Sequence, residues 1–236
     1  MASSFLSLAE PDTAPTGAPP ANDIVRHHRA RTVTTQDHPE WLRTRRQIRR
    51  AAARLIGERG VLRATPRAIV RAAGLPGITL SECYPTREAL LADIMSRHLD
   101  GLTCWVIAAR DAAGQEGAAV QMEAMIGAFL ASALAERNEH RLLLQATDLL
   151  TPRAQAHVRL RCNGLAALFG EALAETVPQA SGPAVKLASL TLMSALSCAV
   201  LWFDPDGSVA VSGYARMLVG MAVEGARGSV LRRGRG

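Results

Sequence analysis

The chain has 236 residues, of which 48% are hydrophobic and 20% charged, so it can form a packed core, and its composition argues against global disorder. Aromatic residues make up only 4%, and Ala, Leu and Arg dominate, which favours helix over sheet. The formal net charge is +6, and residues 41–100 hold twelve arginines against five acidic residues. A basic segment of this size is typical of a small DNA-binding module.

The cysteines and the N-terminus argue for a soluble cytoplasmic protein. The four cysteines show no CxxC pair and no His at ligand spacing, so neither a zinc site nor a disulfide framework is expected. The first residues lack the basic start and long apolar run of a signal peptide. The most apolar stretch, Leu187 to Phe203, contains serines and is shorter than the roughly 20 residues of a membrane span.

Residues 1–40 are predicted to be a disordered extension, since prolines lie among Ala, Thr, Gly and Asp without apolar periodicity. A basic cluster at residues 26–31 fits a flexible arm that reaches DNA, or an ordinary solvated tail. From Glu40 onward, apolar residues recur at helical spacing up to Gly60. Arginines crowd the start of this helix although the helix dipole favours acids there, and phosphate is the natural compensating partner.

A second helix is predicted from Thr65-Pro66, a good N-cap and first-turn pair, to Gly74. A tight turn follows, then a short helix over 78–84, whose Leu80 and Tyr84 face the core. Thr86 caps a long fourth helix. Residues 41–86 thus have the layout of a helix-turn-helix in a three-helix bundle.

The rest of the chain, residues 87–228, is predicted to be a larger helical domain, followed by a basic tail at 229–236. No alternating strand pattern of useful length occurs, so the fold class is all-α. The predicted helices after the fourth cover residues 117–136, 138–149, 152–176, 183–203 and 208–226.

The last two helices combine small and large apolar residues, which suits a four-helix interface across a two-fold axis between two copies of the chain. The alternative is that the same faces are buried inside one protomer. The residues predicted for the dimer interface are Leu187, Leu190, Ser194, Leu201, Tyr214, Met217, Leu218 and Met221.

The stretch IRRAAARLIGERGVLRATPRAIVRAAGLPGITLSECYPTREALLADIM resembles the N-terminal domain of the tetracycline-repressor (TetR) family of transcription regulators. The match includes an Ala-rich first helix ending at Gly60, the Thr65 cap, the Ala73-Gly74-Leu75 tract and the Pro85-to-Leu90 entry to the fourth helix. The resemblance implies that Thr65, Arg67 and Arg87 lie near phosphates. It also implies that Ile78, Thr79 and Glu82 face base edges. Thr65 also fits a plain cap, and Glu82 an ordinary solvated helix face.

Three positions depart from the family pattern in the recognition segment. Ser81 stands where the family has a Tyr that contacts phosphate, Cys83 replaces an aromatic or His, and Ile78 replaces a Gly. Such losses weaken DNA binding without changing its sequence preference, or indicate that the site preference has drifted. The residues predicted to bind DNA are Arg43, Arg45, Arg46, Thr65, Arg67, Ile78, Thr79, Ser81, Glu82 and Arg87.

The resemblance implies a small-molecule effector in the larger domain, where a bundle of long helices can enclose an apolar pocket. Ordinary core packing or a surface position is the alternative for each candidate. The candidate lining residues are Trp105, Met122, Met125, His140, His157, Phe169 and Met193.

Function is predicted on this basis as ligand-responsive repression of transcription by a homodimer that binds a palindromic operator. The alternative is a helical protein-interaction module of the same fold that has lost operator binding. An enzyme is disfavoured, because the sequence has no paired carboxylates, no nucleophile–base set and no Gly-rich phosphate loop. Neither a cofactor nor a metal is expected.

Overall fold

The computed structural model describes residues 39–75, 77 and 80–231, with side chains up to residue 228. Every regular element within these ranges is helical, which confirms the all-α fold class. The helices are α1 (Pro39–Arg59), α2 (Pro66–Ala72), α3 (Leu80–Cys83), α4 (Arg87–Ala113), α5 (Ala118–Ala135), α6 (Arg137–Gln145), α7 (Pro152–Thr176), α8 (Gly182–Trp202) and α9 (Val211–Leu231), with a 3₁₀ turn at Thr147–Leu149.

Local sequence signals fix several helix ends. The Thr65 hydroxyl accepts a hydrogen bond from the Ala68 N–H at 3.3 Å, and the Thr86 hydroxyl accepts one from the Ala89 N–H at 3.1 Å. Both threonines satisfy a backbone donor that the first turn of a helix leaves without a partner. The predicted caps of α2 and α4 are thereby confirmed.

Gly60 ends α1 as the sequence predicts. Its φ of +79° lies in the left-handed region, where a side chain would be strained, and its N–H bonds the Ile56 carbonyl at 2.8 Å. Gly74 follows α2 with a φ of +72°. The chain can therefore reverse direction after each helix at low steric cost.

The N-terminal helices α1–α3 pack around a small apolar core. Ile48, Leu55 and Ile69 are buried in it, together with Leu80 and Tyr84 from the recognition segment. The predicted inward orientation of the last two side chains is therefore confirmed. This core continues without a break into the larger bundle, so the domain boundary placed after residue 86 stays a prediction.

The larger bundle is organised around α4 and α5, which pack along each other, while α7, α8 and α9 cover them. Helix α6 bridges the two parts of the molecule, since it packs against α1 on one side and against α4 and α8 on the other. Met122, Met125 and Phe129 of α5 are fully buried at the centre of this bundle. The N-terminal helices are thus connected to the larger bundle in two ways, by the chain that continues into α4 and by the packing of α1 against α6.

The structure corrects several predicted helix limits. The helix predicted over 138–149 ends at Gln145, and a 3₁₀ turn follows it. The last helix begins at Val211 and reaches Leu231, so it includes three residues assigned to the basic tail. Pro39 and Glu40, assigned to the disordered extension, form the first turn of α1. The rest of the predicted extension (1–38) and tail (232–236) lies outside the described residues.

Two helices of the described chain, Ala118–Ala135 and Gly182–Trp202, are long and apolar enough by length and composition to cross a membrane. The second of these helices begins at Gly182, before the apolar stretch from Leu187 to Phe203 that the sequence indicates, and so reaches 21 residues. Both helices pack inside the bundle and bury one face each, as core helices do.

Candidate nucleic-acid interface and its connection to the helical bundle

The arginines of α1 lie on different sides of the helix. Arg43 and Arg46 are exposed, whereas Arg45 and Arg49 turn inward toward Asp93 of α4. Arg45 Nη2 lies 2.8 Å from Asp93 Oδ2, and Arg49 Nη1 lies 3.0 Å from the same oxygen. The sequence analysis predicted phosphate as the partner of all these arginines. In the structure, some of them are exposed and could bind phosphate, whereas others form ion pairs with Asp93.

Aromatic rings complete this Asp93 cluster. The Arg45 guanidinium lies 4.7 Å from the ring centre of Trp41 and 4.4 Å from that of Tyr84. The Tyr84 hydroxyl donates a hydrogen bond of 2.6 Å to Asp93 Oδ2. Arg45 is thus held by cation–π and ionic contacts at the junction, and its assignment to the DNA-binding surface is corrected.

The same contacts determine how Asp93 ionises. Burial alone would raise the pKa of Asp93, but the Tyr84 hydrogen bond and the charges of Arg49 and Arg45 hold that pKa below its ordinary value. Burial and the bond to Asp93 raise the pKa of Tyr84. The carboxylate therefore stays ionised, and the phenol stays protonated, across the neutral pH range.

Helices α2 and α3 pack on each other and present the remaining predicted contacts. Thr65, Arg67, Ser81 and Glu82 are exposed there. Arg87 is partly buried, and its Nη2 donates to the Ala64 carbonyl at 3.4 Å, which leaves further guanidinium donors available. These side chains lie around the start of α2, along α3 and at the start of α4.

Ile78 and Thr79, predicted to face base edges, lie outside the described residues. Cys83 is partly buried against the core, and burial raises the pKa of its thiol. The replacement of a family aromatic or His by Cys83 therefore changes the exposed surface of α3 only slightly.

The predicted effector-lining residues do not share one environment. Met122, Met125, His140 and Phe169 are fully buried, and Met193 is partly buried. Trp105 is 62% exposed on α4 and His157 is exposed on α7, so the prediction that these two line an interior pocket is corrected.

A buried chain of polar groups in the larger bundle was missed by the sequence analysis except for His140. His98 Nδ1 lies 2.9 Å from Glu136 Oε2, and His98 Nε2 lies 2.9 Å from His140 Nδ1. His140 Nε2 lies 3.2 Å from the Ser197 carbonyl oxygen. The available signal was a histidine at position 98, within the apolar stripe that α4 buries.

The two histidines of this polar chain are shielded from solvent, whereas the Glu136 side chain at its end is about half exposed. His98 is 2% exposed and His140 is 0% exposed, and the Phe129 ring meets the edge of His140 at 5.8 Å between centres. Burial, with the charge of His98, lowers the pKa of His140 to about 4. The hydrogen bond from His98 lowers the pKa of Glu136.

A groove of about 210 Å³ runs between α8 and α9. Leu187 is 64% exposed and Met221 is 62% exposed at this groove, and Met217 is 51% exposed nearby. The residues that line it are Ala184, Leu187, Ala188, Thr191, Leu192, Ala195, Leu218, Met221, Ala222 and Gly225.

The predicted dimer residues fall into two groups. Leu187, Leu190, Ser194, Leu201, Met217 and Met221 are exposed. Tyr214 is 7% exposed and stacks on Phe203 at 5.1 Å, and Leu218 is 3% exposed at the groove floor. The latter two are packed inside the protomer, which corrects their assignment to the contacting surface.

Comparison with known proteins places the fold. Residues 115–226 match the family model of the tetracyclin repressor-like C-terminal domain. A tetR-family regulatory protein from Rhodococcus RHA1 superposes with a TM-score of 0.68 at 18% identity, covering 78% of this chain and 96% of that chain. A TetR-family transcriptional regulator from Bordetella parapertussis 12822 gives 0.66 at 20% identity, covering 78% and 96%.

A third similar structure is AibR in complex with isovaleryl coenzyme A and operator DNA, with a TM-score of 0.62 at 22% identity, covering 75% of this chain and 97% of that chain. A search among curated proteins finds no significant match to the sequence. The matched C-terminal domain and the common architecture agree with the resemblance found in residues 48–95. Residues 115–226 are thus similar to a tetracyclin repressor-like C-terminal domain, and the chain shares the fold of solved TetR-family structures.

Proposed function

We propose that this chain is a cytoplasmic, homodimeric transcriptional regulator that binds duplex DNA through α2 and α3 and acts by binding rather than by catalysis. The observation that carries the proposal is the exposed Thr65, Arg67, Ser81 and Glu82 set around a helix-turn-helix whose Leu80 and Tyr84 are buried. Cationic and hydroxyl groups at helix starts suit phosphates, and the exposed face of α3 suits base edges.

The α8–α9 groove supports the dimer. Apolar side chains this exposed are unfavourable in water, and a second copy of the same helices would cover them across a two-fold axis. Two recognition helices about 34 Å apart would then read a palindromic site in successive major grooves.

Ligand-responsive repression is the finer part of the proposal. AibR, a similar structure, was solved with both isovaleryl coenzyme A and operator DNA. For this chain the proposed effector is a small, largely apolar molecule that favours a conformation with wrongly spaced recognition helices. Near-complete reversal of occupancy requires about 5.5 kcal/mol of discrimination between the two conformers.

Selection of bound duplexes from a random pool tests DNA binding. We expect enrichment of an inverted repeat, with affinity that falls steeply as salt rises because phosphate contacts release counterions. Arg67→Glu should weaken binding to all sequences and reduce the salt slope by about one unit or more. Arg159→Glu, the same charge change at an exposed site on α7, should leave binding unchanged.

Absence of any enrichment would contradict the proposal and favour the protein-interaction module. The dimer is tested separately by sedimentation equilibrium. Leu187→Arg should yield monomers, because it places a charge in the groove between α8 and α9. Leu160→Arg, at a residue 68% exposed on α7, is the matched control and should remain dimeric.

A further inference from the structure

The hydrogen-bond partners of His140 determine which of its two ring nitrogens carries the proton. The Ser197 carbonyl can only accept, so His140 Nε2 must donate to it, and His140 Nδ1 must then accept in its neutral ring. His98 Nε2 therefore donates to His140 Nδ1. His98 Nδ1 lies 2.9 Å from Glu136 Oε2 at the other end of the polar chain.

One more proton cannot be accommodated in this arrangement. It would have to bind His140 Nδ1, which would then point its N–H at the N–H of His98 across 2.9 Å. It would also place a positive charge on a ring that is 0% exposed and has no carboxylate of its own beside it in the described contacts. The added proton therefore breaks the central hydrogen bond and favours opening of the surrounding helices.

Two of the three helices joined by these hydrogen bonds, α4 and α6, also pack against α1. His98 lies on α4, His140 on α6 and Ser197 on α8. Helix α6 also packs closely on α1, where a Cβ added to Gly57 would lie 2.6 Å from Asn138 Oδ1. A change in the position of α6 would therefore directly alter the packing of α1.

Other charged groups face the chain from the neighbouring helices. Arg49 and Arg50 of α1 act on the charge of Glu136, and Arg50 also acts on Glu139 of α6. Burial raises the pKa of Glu139, with the charge of Glu136 adding to the rise. From α5 the neighbour is the Phe129 ring, and from α8 it is the Ser197 carbonyl.

We propose that Glu136, His98, His140 and the Ser197 carbonyl form a proton-operated latch that fastens α6 to α4 and α8, and that binding of one further proton at His140 opens it. The latch does not require DNA or an effector. Opening loosens the packing of α6 against α1, so acidity changes how firmly the N-terminal helices are held.

Hydrogen exchange of the full-length protein at pH 7 and pH 5, corrected for intrinsic exchange rates, tests the latch. We expect the opening of residues 137–145 and of the α1 segment 50–59 to increase on the order of tenfold, because a ring free in solution takes up a proton near pH 6.5 and the latched His140 near 4. Segments of α7 should change much less.

Three variants separate the latch from its surroundings. His140→Asn keeps an acceptor toward His98 but cannot bind the proton, so its exchange should no longer depend on acidity. His157→Asn, the same change at an exposed site on α7, should retain the wild-type response. Glu139→Gln removes the other titrating group of α6 and should also retain it.

The proton arrangement is measured directly in the wild type, which covers the case of a variant that fails to fold. The sequence has six histidines, so selective ¹⁵N-histidine labelling gives a simple spectrum. We expect His140 to carry its proton on Nε2 and not on Nδ1 down to about pH 5. A His140 ring protonated on Nδ1 at neutral pH, or exchange in α6 that follows the rest of the chain, would overturn the proposal.

Discussion

Helix α4 carries two polar centres, at Asp93 and at His98, that hold neighbouring helices by different means. At Asp93, arginines from α1 and the Tyr84 hydroxyl converge on one carboxylate oxygen at 2.6–3.0 Å. At His98 the contacts are a series of hydrogen bonds with shared protons. Arginine does not lose its proton in proteins, whereas imidazole gains and loses one near neutrality.

The difference gives the two centres different sensitivities. The pKa of Asp93 is lowered, so the Asp93 cluster keeps its charges from neutral pH well into the acid range. The latch at His98 and His140 depends on the number of protons present. The attachment of the N-terminal helices therefore combines one contact that acidity leaves intact with another that acidity weakens.

Removing the carboxylate of the Asp93 cluster is expected to have the largest effect. Asp93→Ala leaves the partly buried Arg45 and Arg49 without their shared partner and Tyr84 without its acceptor. We expect a loss of about 3 kcal/mol in the free energy of unfolding, measured by urea denaturation.

Glu58→Gln is the control for that measurement. It breaks the exposed Arg54–Glu58 pair on the same α1 helix and should cost less than about 0.5 kcal/mol. Equal losses for the two variants would show that the Asp93 cluster is no more than a surface ion pair.

Lowering the pH should weaken the polar centre at His98 and His140, and we expect this to reduce the free energy of unfolding by less than Asp93→Ala does. The pKa of folded His140 is about 4, below its ordinary value of 6.5, so the unfolded chain takes up the proton first as the pH falls. Stability from this group is thus present above pH 6.5 and is lost as the pH falls toward 4. We expect about 2 kcal/mol to be lost between pH 7 and pH 5.

The pH dependence is measured by urea denaturation across that range. In His140→Asn this component of the slope should vanish, while Asp93→Ala should shift the whole curve with little change in slope. A wild-type stability that stays level between pH 7 and pH 5 would contradict the assignment of His140 as a buried neutral ring.

Local signals in the sequence were sufficient to predict most of the helices and several of their ends. Thr65 and Thr86 cap helices, and Gly60 ends one, through contacts within a few residues. The inward position of Leu80 and Tyr84 followed from helical spacing, which also reflects a local geometry.

The role of a polar side chain depended on partners far away in the sequence. Arg45 and Arg46 are adjacent and look alike, yet Arg45 meets Asp93, 48 residues on, whereas Arg46 is exposed. His98 and His140 are 42 residues apart and become a pair only through the packing of α4 on α6. Periodicity identified the α8–α9 region but could not separate the exposed Met217 from the buried Leu218.

The contact between α1 and α6 offers the finest test, because two opposing terms of about 1 kcal/mol meet there. Gly57→Ala adds helix propensity to α1, worth about 1 kcal/mol, but its Cβ would meet Asn138 Oδ1 at 2.6 Å. We expect the single variant to be near neutral in urea denaturation. Asn138→Ala removes the obstructing side chain, so Gly57→Ala made in that background should stabilise the protein by about 1 kcal/mol.

The comparison of the two backgrounds is a double-mutant cycle for this contact. A positive coupling between Gly57→Ala and Asn138→Ala would place α1 against α6 in solution as the structure does. Strict additivity would mean that the two helices are not in close contact there. The acid response of α1 would in that case need a route through α4 alone, past the Asp93 cluster, where acid is expected to change little.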